Sequence, residues 1–173
     1  MIKFYQSQFK SIFINKKYLG FALLIFMVGM VLGFLITFSP EAPPIKEQMI
    51  DTLKSMVKPN YIQTLLFIIQ HNLTIMALAI VLGTIGSIFL SFFNGVAISF
   101  LMSGEKPFMW LYLLPHGIFE LTAFFIAFGY GLKIGIIPFK KQDVFKEALI
   151  IFTSIILPLT ILAGVIETTL IFL

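Results

Sequence analysis

His116 and Glu120 are the residues of this chain whose types and spacing could do chemistry. They stand four apart in Leu114-Pro115-His116-Gly117-Ile118-Phe119-Glu120, so on a helix both side chains leave the same face. The surrounding stretch, Phe108 to Leu132, is apolar enough to cross a bilayer and carries Glu120 near its middle. An ionisable group at that depth faces the bundle interior or a wet cavity, because lipid does not solvate it. An imidazole one turn away can share or accept its proton. With Asn94, Glu167 and Asn72, the pair also offers nitrogen and oxygen donors of the kind that bind a hard or borderline divalent cation, so His116 and Glu120 are the candidate metal ligands. The competing reading is structural: a hydrogen-bonded polar cluster that ties helices together, each bond adding about 0.6–2 kcal/mol.

Other chemistries find no support. An H-E-x-x-H zinc protease needs two histidines a turn apart with a glutamate base, whereas the His116 segment holds one histidine and one glutamate in H-G-x-x-E order. There is no G-x-S-x-G turn, no phosphate-binding glycine loop and no cysteine. No enzyme activity and no cofactor are therefore expected. His71 reads as a surface histidine, Tyr61, Trp110 and Tyr112 as interfacial aromatics, and Thr168 and Thr169 as hydroxyls bonded to their own backbone.

The elements that must position these residues are membrane helices. In 173 residues, 59% are hydrophobic and 12% charged, and the mean hydropathy is +1.02. A soluble domain of that length could not hide so much apolar surface. The expected fold is all-α, a polytopic transmembrane bundle of about five spans with two interfacial amphipathic helices. Residues 1–17 form an amphipathic arm, and 18–173 form a single transmembrane domain. The spans fall at about 18–38, 62–82, 86–103, 108–132 and 148–172, with an amphipathic surface helix at about 45–58.

Two features decide the count. Tyr61 to Ser103 is 43 residues, about 65 Å as one helix and twice the hydrocarbon thickness, so it must break. Gly83-Thr84-Ile85-Gly86 is the natural place. Beyond it a stripe of small residues at spacing four (Ser87, Ser91, Gly95, Ser99, Ser103) predicts one continuous helix packed tightly on a neighbour. Gly29 and Gly33 form a second close-packing pair. A rival reading breaks the chain at Asn94-Gly95 and makes the second part re-entrant. The other feature is charge. All twelve basic residues are lysine; four lie in the N-terminal arm and four between Lys133 and Lys146, read as a connector. Placing both groups in the cytoplasm requires an even number of spans between them, which four satisfies and a re-entrant element does not. The chain is thus expected in the cell membrane, N-terminus cytoplasmic and C-terminus outside. The net charge of +4 is a topology signal and implies no nucleic acid.

At these residues the chain resembles the stage II sporulation protein M family. Asn94-Gly95, Leu114-Pro115-His116-Gly117-x-x-Glu120, Gly129-x-Gly131-Leu132-x-x-Gly135, the Gly83-x-x-Gly86 step, Asn72 and Glu167 carry the likeness. His71 departs from it, standing where a second asparagine is expected. The resemblance covers about Asn72 to the C-terminus. It implies a five-span helical protein whose namesake is a scaffold in a complex with peptidoglycan-remodelling partners, needed for engulfment during sporulation. The leading expectation is therefore a non-enzymatic membrane scaffold that assembles or localises cell-envelope partners. The alternative is a small transporter or channel subunit with an intramembrane His/Glu proton or cation site, working as a homodimer.

Overall fold

A computed structural model describes residues 2–103, 107–136 and 141–173; among them every regular element is a helix. The elements are α1 (Ile2–Ile14), α2 (Lys16–Ile36), α3 (Ala42–Met56), α4 (Tyr61–Met102), α5 (Pro107–Ile136), α6 (Lys141–Ile151), a five-residue π segment (Phe152–Ile156) and α7 (Leu157–Phe172). Among the described residues, four helical stretches are long and apolar enough to cross a membrane: Lys16–Ile36, Tyr61–Met102, Leu114–Ile136 and Gln142–Phe172.

The longest of these, α4, is two rods. Its 42 residues would measure about 63 Å if straight. Gly83 interrupts it with φ 67° and ψ −139°, a conformation essentially reserved for glycine. The chain reverses there. Ser87 Oγ donates to Ala79 O at 3.1 Å, although eight residues of straight helix would separate them by about 12 Å. The bundle thus has five rods from four helical stretches.

Small residues set the rod-to-rod distances. Ser91 Oγ donates to Ala22 O at 2.8 Å, and a Cβ on Gly95 would land on the Phe26 carbonyl oxygen. From the other side, a Cβ on Gly29 would strike the Phe92 carbonyl, and one on Gly33 the Val96 carbonyl. The small stripe of α4 and the glycine pair of α2 are therefore two halves of one contact, in which the helices run parallel. In lipid such backbone approach is the main source of helix association. Next to the reversal, Gly131 fits against Ala79 O and Ser87 Oγ, Gly135 fits against Thr84, and Thr84 Oγ1 donates to Leu132 O at 3.1 Å. Helix α7 runs antiparallel to the first rod of α4: Tyr61 meets Phe172 edge-on at 5.7 Å, and Thr160 Oγ1 lies 3.7 Å from Met76 Sδ.

The bundle has two distinct ends. At the Ser103 end, α3 bridges the two rods of α4. Lys46 Nζ reaches Ser103 O at 2.5 Å, while the Lys58 N–H donates to Thr64 Oγ1 at 2.9 Å. At the Gly83 end a polar clasp joins α1, α5 and α6. Ser11 Oγ and Tyr130 OH are 2.8 Å apart, Ser11 also bonds Glu147, Tyr130 OH donates to Glu147 Oε1 at 3.1 Å, and Lys133 Nζ meets Glu147 Oε2 at 2.7 Å. Asn15, also buried, donates its amide to Ser11 O at 2.8 Å.

The structure departs from the sequence reading in three places here. The arm is not only a surface helix, since its last turn is tied into the clasp. Lys133 and Lys146 belong to helices, not to a connector; α5 stays helical to Ile136, and the Lys133–Glu147 pair joins it to α6. The last span does not begin at Ala148 but continues from α6 through the π segment. That wider turn lies immediately before Pro158, which has no N–H to give and would crowd the carbonyl four residues back in a regular helix.

Two outcomes follow for thermal melting in detergent. Gly83→Ala should lower stability by about 1–3 kcal/mol, the strain of a non-glycine residue in that backbone region. Gly20→Ala, whose Cβ meets nothing within 4 Å, should leave stability unchanged or raise it by less than about 1 kcal/mol. In the clasp, Lys133→Met and Glu147→Gln should each cost about 1–3 kcal/mol, and the double variant should cost less than their sum.

Candidate intramembrane site

Four rods contribute one side chain each, or two, to a single polar wall. His116 and Glu120 come from α5, where the four-residue spacing puts them one turn apart. Glu167 comes from α7, Asn72 from the first rod of α4 and Asn94 from the second. A ring nitrogen of His116 and a carboxylate oxygen from each of Glu120 and Glu167 all lie within 4.8 Å of one another. Asn72 is buried and lines the same space as Glu120. Asn94 Nδ2 donates to Leu90 O at 2.8 Å, so its amide oxygen is what it offers the site.

These five residues line one cavity of about 750 Å³. Its other walls are largely apolar and include Phe26, Ile75, Phe124 and Phe128; Thr64, His71, Lys54 of α3 and Val57 just beyond α3 also line it. The space could take a solute much larger than an ion.

The wall is not a closed hydrogen-bond network. His116 is 9% exposed, and its buried Nδ1 has no hydrogen-bond partner among the described residues. A buried ring nitrogen left unpaired costs about 1–3 kcal/mol, so helix packing alone gives no reason for it. Two carboxylates at close range add their own repulsion. Among the described residues, the ion pairs Lys133–Glu147 and Lys54–Asp51 involve neither of these carboxylates.

Gly117 is a site residue that sequence reasoning valued only as part of a motif. A Cβ there would meet nothing within 4 Å, so this glycine does not serve helix packing as Gly95 and Gly131 do. It lines the cavity beside His116 and keeps that space open, at a helix-propensity cost of about 1 kcal/mol. A signal was present in the sequence: Leu113 and Leu121 flank Gly117 at spacing four, so it belongs to no small-residue stripe.

The remaining candidates separate clearly. His71 is exposed, stacks on Phe67 at 6.1 Å and borders the same cavity. Thr169 Oγ1 bonds Val165 O at 2.7 Å, as expected, and also meets Tyr61 OH at 3.1 Å. Thr168 differs from its expected role, since its buried hydroxyl bonds nothing among the described residues. The side chains of Trp110 and Tyr112 lie outside the described residues.

Comparison with known proteins bears on identity. The sequence profile of stage II sporulation protein M matches residues 22–170. An uncharacterized protein of Methanocaldococcus jannaschii is 30% identical over 94% of this chain and 85% of its own length. No solved structure matches. The profile match spans most of the chain, including all four rods that build the polar wall, and it agrees with the resemblance carried by the His-Gly-x-x-Glu segment: the chain belongs to the stage II sporulation protein M family.

Proposed function

We propose that this membrane protein is a small transport or channel subunit that takes a proton or cation into the His116/Glu120/Glu167 wall. The observation that carries the reading is the cavity of about 750 Å³ in which the His116 imidazole and the Glu120 and Glu167 carboxylates converge. A scaffold needs helices held together, and every bond satisfied serves that end. A cavity with an unpaired imidazole and an unfilled space beside Gly117 works against packing and suits a ligand. In this reading the lysine-rich Gly83 end faces the cytoplasm and the C-terminus lies outside, so the cavity opens towards the outer face. Five rods without an even internal duplication imply assembly as a dimer.

The second reading is the non-enzymatic scaffold, in which the protein assembles or localises cell-envelope partners, in sporulation or otherwise. Family membership supports it, and so does α3, which carries exposed Glu47, Asp51 and Lys54 across the Ser103 end as a docking face.

Flux in proteoliposomes separates the two. The transport reading predicts proton or cation flux in the wild type that falls at least tenfold in Glu120→Gln and in the cavity-filling Gly117→Leu. No flux in the wild type, with envelope proteins co-purifying, gives the scaffold reading instead. Stability offers a second check. His116→Leu should melt no lower than the wild type in the absence of ligand, because no hydrogen bond of Nδ1 is lost and the cost of burying it is relieved. A loss of about 2 kcal/mol would make the histidine structural.

A further inference from the structure

We propose that His116, Glu120 and Glu167 together coordinate one divalent first-row transition cation, of the kind represented by Zn²⁺, Mn²⁺ or Co²⁺. This names the ligand of the cavity wall and so rests on reading that wall as a binding site; it does not require that anything cross the membrane.

Geometry comes first. Donors around such an ion sit about 2.0–2.2 Å from it, which places them about 3–4 Å from one another. The three donor atoms already lie within 4.8 Å, on two different helices, so small side-chain rotations close the set. The imidazole is the independent observation. His116 is nine-tenths buried, lines the cavity and has an unpartnered Nδ1. A cation held between the ring and the two carboxylates gives the imidazole a polar partner, which no protein group does among the described residues.

Charge supports the valence. Two carboxylates and one divalent cation sum to zero, the arrangement least costly to hold away from water. A monovalent cation leaves a net negative charge in the bundle. Donor type then narrows the metal. One imidazole nitrogen with two carboxylate oxygens suits zinc, manganese, iron or cobalt. Calcium and magnesium prefer all-oxygen sets with more ligands, and a chain without cysteine offers no thiolate for softer ions.

The surroundings point to an exchangeable ion. Asn72, buried against the same cavity, is the side chain placed to orient the Glu120 carboxylate, as partners of ligating carboxylates do. Three protein ligands leave coordination positions open, and these face the cavity that Gly117 keeps clear. A closed structural site would have used a fourth side chain.

The test uses the full chain, purified in detergent and stripped with a chelator. Co²⁺ is titrated by visible absorption, and melting is followed with Zn²⁺, Mn²⁺, Mg²⁺ and Ca²⁺. The inference expects one Co²⁺ per chain and a higher melting temperature with Zn²⁺ or Mn²⁺, but none with equal Mg²⁺ or Ca²⁺. His116→Ala, Glu120→Gln and Glu167→Gln should each weaken Co²⁺ binding by about tenfold or more, while His71→Ala leaves it unchanged. Asn72→Ala keeps all three ligands and should weaken binding without abolishing it, so the inference stays testable should a ligand variant fail to fold. No Co²⁺ binding by the wild type overturns it, as does binding that survives all three ligand substitutions or is lost in His71→Ala. Proton flux without metal binding sinks the metal site and leaves the transport reading standing. Metal binding without flux does the reverse.

Discussion

Everything in this bundle depends on the reversal at Gly83. A 42-residue helix cannot stay in a bilayer as one rod, and the backbone polar groups cannot be left unpaired where it turns. The solution is a turn only glycine tolerates, covered at once by Gly131 and Gly135 of α5 and sealed by the hydroxyls of Thr84 and Ser87. Because the two rods then lie against each other, Asn72 on one and Asn94 on the other look into the same space. The cavity is a consequence of that fold-back. A straight α4 would carry the two asparagines to different depths.

The two ends of the molecule handle polar groups in opposite ways. At the Gly83 end, Ser11, Asn15, Tyr130, Lys133 and Glu147 are bonded to one another in a clasp. In the half of the bundle nearer Ser103, two carboxylates converge on an imidazole with an unpaired nitrogen beside an open space. One chain thus contains a closed polar network and an open one. Evolution of a purely structural cluster would have produced the first kind twice. The contrast is the physical basis for treating the second as a binding site.

Much of this was legible in the sequence because lipid restricts the choices. Apolar runs gave the rods, a length of twice the bilayer forced the break, and glycines at Gly83 and Gly86 located it. Spacing alone put His116 and Glu120 on one face. The serine and glycine stripe from Ser87 announced a close contact, although only the structure identifies Gly29 and Gly33 as its other half. What the sequence could not supply was meeting across helices. Glu167 lies 47 residues from Glu120, and spacing over that distance does not say whether the two carboxylates meet. The clasp was missed for the same reason, since Asn15 and Tyr130 come together only through the packing of α1 on α5. The start of the last span was missed because the lysines from Lys133 to Lys146 read as a connector, and the π turn before Pro158 leaves no mark in composition.

The central claim is that Glu120 and Glu167 face each other across one shared space in the membrane. The chain has no cysteine, so engineered pairs report on it without background. The most direct measurement is cross-linking of Glu120→Cys/Glu167→Cys in native membranes, compared with Glu120→Cys/Leu162→Cys, whose second position is exposed on α7. The account predicts rapid disulfide or mercury cross-linking in the first pair and none in the second. No cross-link in the first pair, or equal cross-linking in both, would contradict it.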